Sequence, residues 1–131
     1  MLTVVIVDDS DVVRGRVREL VSQVENVDVV GEACDGLEAL QVVADLQPDV
    51  IILDIRMPRC NGIQTLETIK RGNGRTPVVI VLTAFATRQH RHRCLRSGAA
   101  HFFDKNDEFE RVAEVLERLD AEGGSGPSAI P

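Results

Sequence analysis

Five short apolar runs rich in valine and isoleucine alternate along this chain with segments whose apolar residues recur every three or four positions. The runs predict strands at about 3–8, 27–33, 50–54, 77–83 and 100–103. They are continuous rather than alternating, so each strand is expected to be buried on both faces. That points to a parallel sheet with helices on either side, built from βαβ units.

The helical segments carry start and stop signals. Ser10 can cap a first helix, in which Val13, Val17, Leu20, Val21 and Val24 share one face. Asp35 and Glu38 form a D-x-x-E capping pattern ahead of Leu37, Leu40, Val43 and Ala44, and Pro48 stops that helix. A third helix from about Gly62 presents Ile63, Leu66 and Ile69, and ends at Gly72-Asn73-Gly74. The last helix reads as capped by Asp107 with Glu110 completing the box. Its face is Phe109, Val112, Ala113, Leu116 and Leu119, and Gly123 breaks it. Between Thr87 and Ser97 only Cys94 and Leu95 are strongly apolar, so the fourth helix is expected to be poorly anchored and mobile.

Composition narrows the picture. A chain of 131 residues with 44% hydrophobic content fits one domain, read as 1–122 with a disordered Gly/Ser/Pro tail at 123–131. No run is long enough to cross a bilayer, and no basic segment precedes the first strand, so a cytoplasmic location is expected. The net charge of −6 leaves no footprint for direct nucleic-acid binding. Cys34, Cys60 and Cys94 are odd in number and widely spaced, as expected of neutral thiols in a reducing compartment. A zinc site from His90, His92, Cys94 and His101 is disfavoured, since residues two apart point about 200° apart on a helix.

The polar residues that follow the strands carry the chemistry. Asp8 and Asp9 end the first run, Asp54 the third, Thr83 the fourth, and Lys105 follows the fifth. In an open α/β sheet, ligands bind at the carboxyl ends of the strands, where the strand order reverses. The common five-stranded order, 2-1-3-4-5, is that of the doubly wound, flavodoxin-like (βα)5 fold. It makes strands one and three neighbours and brings Asp8, Asp9 and Asp54 together. An all-oxygen ligand set suits Mg²⁺ better than Zn²⁺. Asp54 could then serve as a nucleophile toward phosphorus, with Lys105 and Thr83 as donors to the transferred oxygens. Singly, each residue has an ordinary structural explanation, such as a helix-start acid or a loop acid. The joint placement on one sheet edge does not.

With these residues the chain resembles the receiver domain of bacterial response regulators, the phosphoacceptor half of two-component signalling. The resemblance runs from about residue 2 to 121. It rests on Asp8-Asp9, Asp54-Ile55-Arg56-Met57-Pro58 with Gly62, Thr83-Ala84 and Lys105. It implies phosphorylation at Asp54 and Mg²⁺ held by Asp9, Asp54 and the backbone carbonyl of Arg56, with Asp8 acting through water. It also implies Thr83 and Phe102 as switch residues, and Lys105 bridging Asp54 and the phosphoryl oxygens. The implied donor is a sensor histidine kinase or phosphotransfer protein. The implied output is phosphorylation-dependent binding of a protein target, with a homodimer through the fourth helix, fifth strand and fifth helix as one option. Such a chain assists its own phosphotransfer and autodephosphorylation but is not a conventional turnover enzyme.

Three departures and alternatives accompany the resemblance. Asn106 stands where the family commonly has a proline in a cis peptide. A non-proline cis bond costs about 2.5–4 kcal/mol, so a trans peptide is expected. Arg56 and Phe85 form a bulky pair two residues after Asp54 and Thr83, where water access to a phosphoryl group is set. Four arginines within Arg88–Arg96 suggest a docking surface for an acidic partner or a second copy, or simply a solvated face. A stand-alone receiver is the favoured reading, and a receiver fragment of a longer DNA-binding response regulator the alternative. A haloacid-dehalogenase-like phosphatase, with Asp8 as nucleophile, and a receiver acting only as a scaffold are less favoured.

Overall fold

The structure is a computed structural model that describes residues 1–56, 61–72 and 76–122. Five strands and five helices alternate: β1 (Leu2–Val7), α1 (Asp11–Ser22), β2 (Val27–Ala33), α2 (Gly36–Leu46), β3 (Val50–Leu53), α3 (Gly62–Lys70), β4 (Val78–Thr83), α4 (Arg88–Arg96), β5 (His101–Asp104) and α5 (Arg111–Ala121). All pairings are parallel and the sheet order is β2-β1-β3-β4-β5. The expected doubly wound architecture and strand order are therefore present.

Alternation along the strands divides the core into two layers. Val5, Val7, Ile51, Leu53, Val79, Val81 and Phe102 face α2, α3 and α4, where Ala39, Ile63, Leu66, Ile69 and Cys94 meet them. Val4, Ile6, Val50, Ile52, Ile80, Leu82 and Phe103 face α1 and α5, against Val17, Val21, Val112, Val115 and Leu116. Three central strands buried on both sides explain why their sequences lack polar alternation.

Capping follows the sequence at Ser10 and Asp35, and Thr87 adds a cap that the sequence reading did not name. Ser10 Oγ accepts the Val13 N–H at 3.2 Å, Asp35 Oδ1 accepts the Glu38 N–H at 2.8 Å, and Thr87 Oγ1 accepts the His90 N–H at 3.0 Å. Glu38 closes its box on the N–H of Cys34, one residue before the cap. Ser10→Ala removes the α1 cap and should cost about 1 kcal/mol of unfolding free energy, measured by urea titration.

Two helices differ from expectation. In α2 the inward residues are Ala39 with Leu40, Val42 and Val43, while Leu37 is 57% exposed and Ala44 also faces solvent. The apolar positions of this helix fit two overlapping phases, and its packing on β2 and α3 selects one. The fifth helix starts at Arg111, and Asp107 does not cap it. Instead Glu108 turns back, its Oε1 accepting the Asp104 N–H at 3.1 Å, while its own N–H donates to the Asp104 carbonyl at 2.8 Å. The carboxylate is used to close a turn after β5. Val112, Val115 and Leu116 of α5 are nonetheless buried as the apolar spacing requires.

In α4 only Cys94 is buried; Leu95 is 40% exposed. Burial pushes the Cys94 thiol up to about 11, which makes it a packing group rather than a nucleophile. Cys60, the Met57–Pro58 pair, most of the Gly72–Gly74 turn and the 123–131 tail lie outside the described residues. No helix among the described residues is long and apolar enough to cross a membrane.

Candidate functional site at the carboxyl edge of the sheet

The acidic residues after β1 and β3 are held by continuation of the strand ladder. The Asp8 N–H donates to the Ala33 carbonyl at 3.1 Å, the Asp54 N–H to Val7 at 3.0 Å, and the Lys105 N–H to Thr83 at 2.9 Å. Each residue thus sits one step past a paired strand, where its backbone is fixed but its side chain is free to lean over the sheet edge. Asp8, Asp9 and Asp54 each offer a carboxylate oxygen within 4.8 Å of the others. Among the described residues this is the one histidine, cysteine or carboxylate group so placed, and the imagined His90/His92/Cys94/His101 cluster is not assembled.

Lys105 knits the group together. Its Nζ lies 2.6 Å from Asp8 Oδ2 and 3.0 Å from Asp54 Oδ2. The second oxygen of Asp54 accepts the Arg56 N–H at 3.1 Å, and that of Asp8 accepts the Ser10 N–H at 2.9 Å. Asp8 and Asp54 are buried, whereas Asp9 is exposed at the rim. The Lys105–Asn106 peptide is trans, as expected from the missing proline.

Two buried carboxylates share the Lys105 ammonium. Burial raises the Asp8 carboxyl above its ordinary range and outweighs the help of Lys105 and the Ser10 N–H; the Asp54 charge pushes the same way. Burial alone would lower Lys105, yet its bond to Asp8 and the field of Asp54 hold its proton more tightly than usual. Two buried carboxylates around one ammonium account for both directions. An acid with a raised folded value contributes stability that is complete below its unfolded value of 3.8 and is lost as pH rises through the raised one. Without divalent cation, melting temperature should therefore gain a component as pH falls from neutrality. Asp8→Asn should remove that component, and subtracting the two pH profiles isolates it from other titrating groups.

Thr83 is fully buried at the end of β4, and its Oγ1 accepts the Phe85 N–H at 3.1 Å. Phe102 is buried in β5 at 3% exposure, so the ring points inward.

Several contacts around the site had no clear sequence signal. Arg14 reaches back from the first turn of α1 to donate to the Asp8 carbonyl at 2.6 Å, and it also bonds Glu32 at 3.2 Å. The Arg56 guanidinium lies 4.0 Å over the Phe85 ring, and His90 Nδ1 sits 2.7 Å from the Phe85 carbonyl. Arg91 is exposed but donates from Nη1 to the Phe102 carbonyl at 3.1 Å, which ties α4 to β5. Arg88, Arg93 and Arg96 are exposed as well.

A parallel doubly wound sheet, with three carboxylates at its β1/β3 switch point and a buried threonine and a lysine on the same edge, is the architecture of a flavodoxin-like α/β protein. The chain belongs to the response regulator receiver domain family, which matches it over residues 4–117. It is a receiver of a two-component system, and the haloacid-dehalogenase alternative is set aside. It is 35% identical over 116 residues to a probable C4-dicarboxylate response regulator of Priestia megaterium, covering 88% of this chain and 50% of that protein. The chain spans between 32% and 58% of the length of the curated relatives compared with it. The response regulator domain of Thermotoga maritima CheB superposes with a TM-score of 0.81 at 33% identity, covering 92% of this chain and 95% of that one. A CheX–CheY complex with beryllium fluoride and magnesium from Borrelia burgdorferi gives 0.77 at 29% identity, covering 90% and 89%.

Proposed function

We propose that Asp54 accepts a phosphoryl group from a phosphohistidine on a sensor histidine kinase or phosphotransfer protein. The observation that carries this reading is Lys105, whose ammonium bridges Asp54 and Asp8 in a pocket of three converging carboxylates. The three acidic side chains suit a hard divalent cation: Asp9, Asp54 and the Arg56 carbonyl would hold Mg²⁺ directly, with Asp8 through water. When bound, the ion offsets the carboxylate repulsion and the charge on the phosphoryl oxygens.

An Asp54 oxygen forms the new bond to phosphorus as the donor P–N bond breaks, and its electron pair returns to the imidazole. Lys105 then exchanges its Asp54 contact for a phosphoryl oxygen. The Thr83 hydroxyl, which at present only accepts from Phe85, has its hydrogen available for another. Moving Thr83 pulls on the Phe85 loop and, through His90, on α4. Phe102 lies beneath the same joint, tied to Arg91. The switch therefore biases the face of α4, β5 and α5 toward a protein target, or toward a second copy of the chain. The Borrelia CheY complex, which holds beryllium fluoride and magnesium, supports this chemistry by likeness.

The test is intact-mass analysis after incubation with acetyl phosphate. The mass of one phosphoryl group should appear with Mg²⁺ and not with excess chelator, and it should map to the peptide containing Asp54. Labelling elsewhere, or none with fluoroberyllate binding also absent, would favour the scaffold alternative.

A further inference from the structure

Both backbone groups of Asp8 are referenced to β2. Its N–H donates to the Ala33 carbonyl at 3.1 Å, and its carbonyl accepts from Arg14 Nη1 at 2.6 Å, while Arg14 Nε donates to Glu32 Oε1 at 3.2 Å. We propose that Arg14, braced by Glu32, is a positioning residue for the cation site, setting its affinity for Mg²⁺ through the Asp8–Asp9 peptide without touching the ion. The inference rests on Asp9 and Asp54 holding that cation.

Asp9 is the carboxylate with the least support of its own. It is exposed at the rim, and among the described residues nothing hydrogen-bonds or ion-pairs with its side chain. Its direction is therefore set by the backbone on either side of it. The peptide joining it to Asp8 carries the carbonyl that Arg14 holds, so a turn of that peptide changes ψ of Asp8 and φ of Asp9 together. On the other side, Asp8 Oδ1 accepts the Ser10 N–H at 2.9 Å and closes a turn with Asp9 at its centre. The guanidinium is itself well fixed, by Glu32 on β2, the Asp8 carbonyl after β1 and Asp11 in the first turn of α1. The Arg14 side chain is only 15% exposed, so water has little access to compete for these bonds. Glu32 sits opposite Ile6 in the strand ladder and also accepts from Arg18. A planar fork bonded to a strand on one side and a carbonyl on the other fixes orientation as a single ammonium does not.

Charge and position make opposite predictions for this residue. Arg14 is a cation beside a cation site, and its loss leaves the Glu32 and Asp11 carboxylates without their shared guanidinium. Coulomb's law alone then predicts tighter Mg²⁺ binding. Loss of an outer contact that orients a ligand instead weakens binding, by about ten- to a hundredfold. The sign of the change on removing Arg14 separates the two.

The test is calorimetric titration of Mg²⁺ into the unphosphorylated chain, in wild type, Arg14→Gln, Arg14→Lys and Arg18→Gln, with melting temperatures recorded in the absence of Mg²⁺. The dissociation constant should rise about tenfold in Arg14→Gln. It should rise by a smaller factor in Arg14→Lys, which keeps the charge and loses the fork, and which is read alone if the glutamine variant does not fold. It should hold or fall slightly in Arg18→Gln, which removes a charge bonded to Glu32 rather than to Asp8. A constant unchanged or lowered on removing Arg14 overturns the positioning role, and a lower melting temperature beside it marks a contact that is structural only. An equal rise in Arg18→Gln overturns it too, since any loosening of Glu32 would then suffice. Absence of Mg²⁺ binding in wild type overturns the cation reading and the inference with it, whereas wild-type binding that Arg14→Gln leaves intact overturns the inference alone.

Discussion

Asp54→Asn should gain no phosphoryl mass with Mg²⁺ and acetyl phosphate under conditions that label the wild type fully. The amide keeps the volume and can still accept the Arg56 N–H through its oxygen, so the fold should stand. It loses the nucleophilic anion and one hard oxygen ligand, and both losses act on the same step. Lys105→Met should be slower by about a hundredfold rather than silent, because it removes one preorganised donor to the transferred oxygens and leaves the nucleophile in place. The same change leaves Asp8 and Asp54 facing each other without their shared ammonium. Mg²⁺ should accordingly stabilise Lys105→Met more than wild type in a thermal melt. Labelling of Asp54→Asn at the wild-type rate would place the phosphoacceptor elsewhere.

Gly62→Ala should be among the most damaging single substitutions in the chain. A Cβ at residue 62 would stand 2.2 Å from Ile55 Cα and 2.6 Å from the Asp54 carbonyl oxygen, both backbone atoms. No rotamer change relieves that overlap. Either the start of α3 lifts away, breaking the 2.9 Å bond from the Gly62 N–H to the Ile55 carbonyl, or the residues carrying Asp54 move. The expected cost is about 3 kcal/mol or more, together with slower phosphorylation because the nucleophile is displaced. Gly15→Ala provides the contrast. Its Cβ would meet only the end of Arg18, at 3.6 Å, within α1. It should stabilise the protein by about 0.5–1 kcal/mol, since alanine is the better helix former. Urea unfolding of the two variants should move in opposite directions.

Much of this molecule is legible in its sequence because β-strand burial is a local, periodic property. Val4–Val7, Val50–Leu53 and Val78–Leu82 have no polar alternation, and a strand can keep that pattern only when covered on both faces. Parallel pairing then forces right-handed crossovers, and the residues after β1, β3, β4 and β5 fall on one edge whatever the helices do. The convergence of Asp8, Asp9, Asp54 and Lys105 follows from topology in this way.

The misreadings share a physical origin. Asp107 and Glu110 satisfy the spacing of a capping box, yet Glu108 finds the Asp104 N–H first and closes a turn that delays α5 to Arg111. A capping pattern states which bonds a segment can make, not which competitor is nearer. Leu37 and Ala44 fit a helical face, but α2 rolls to place Ala39, Leu40, Val42 and Val43 against its neighbours.

The sequence by itself determined the alternation of strands and helices, the parallel sheet and the residue types that follow its strands, since these depend on backbone periodicity. The order 2-1-3-4-5 was expected as the common one for such a chain, and the tertiary structure has it. Only the tertiary structure decided where the long polar side chains go. Lys105 bridges two carboxylates, Arg14 backs Asp8, and Arg56 lies on Phe85. A flexible side chain has several partners within its length, and the choice among them is set by which acceptors and rings folding brings within a few ångströms.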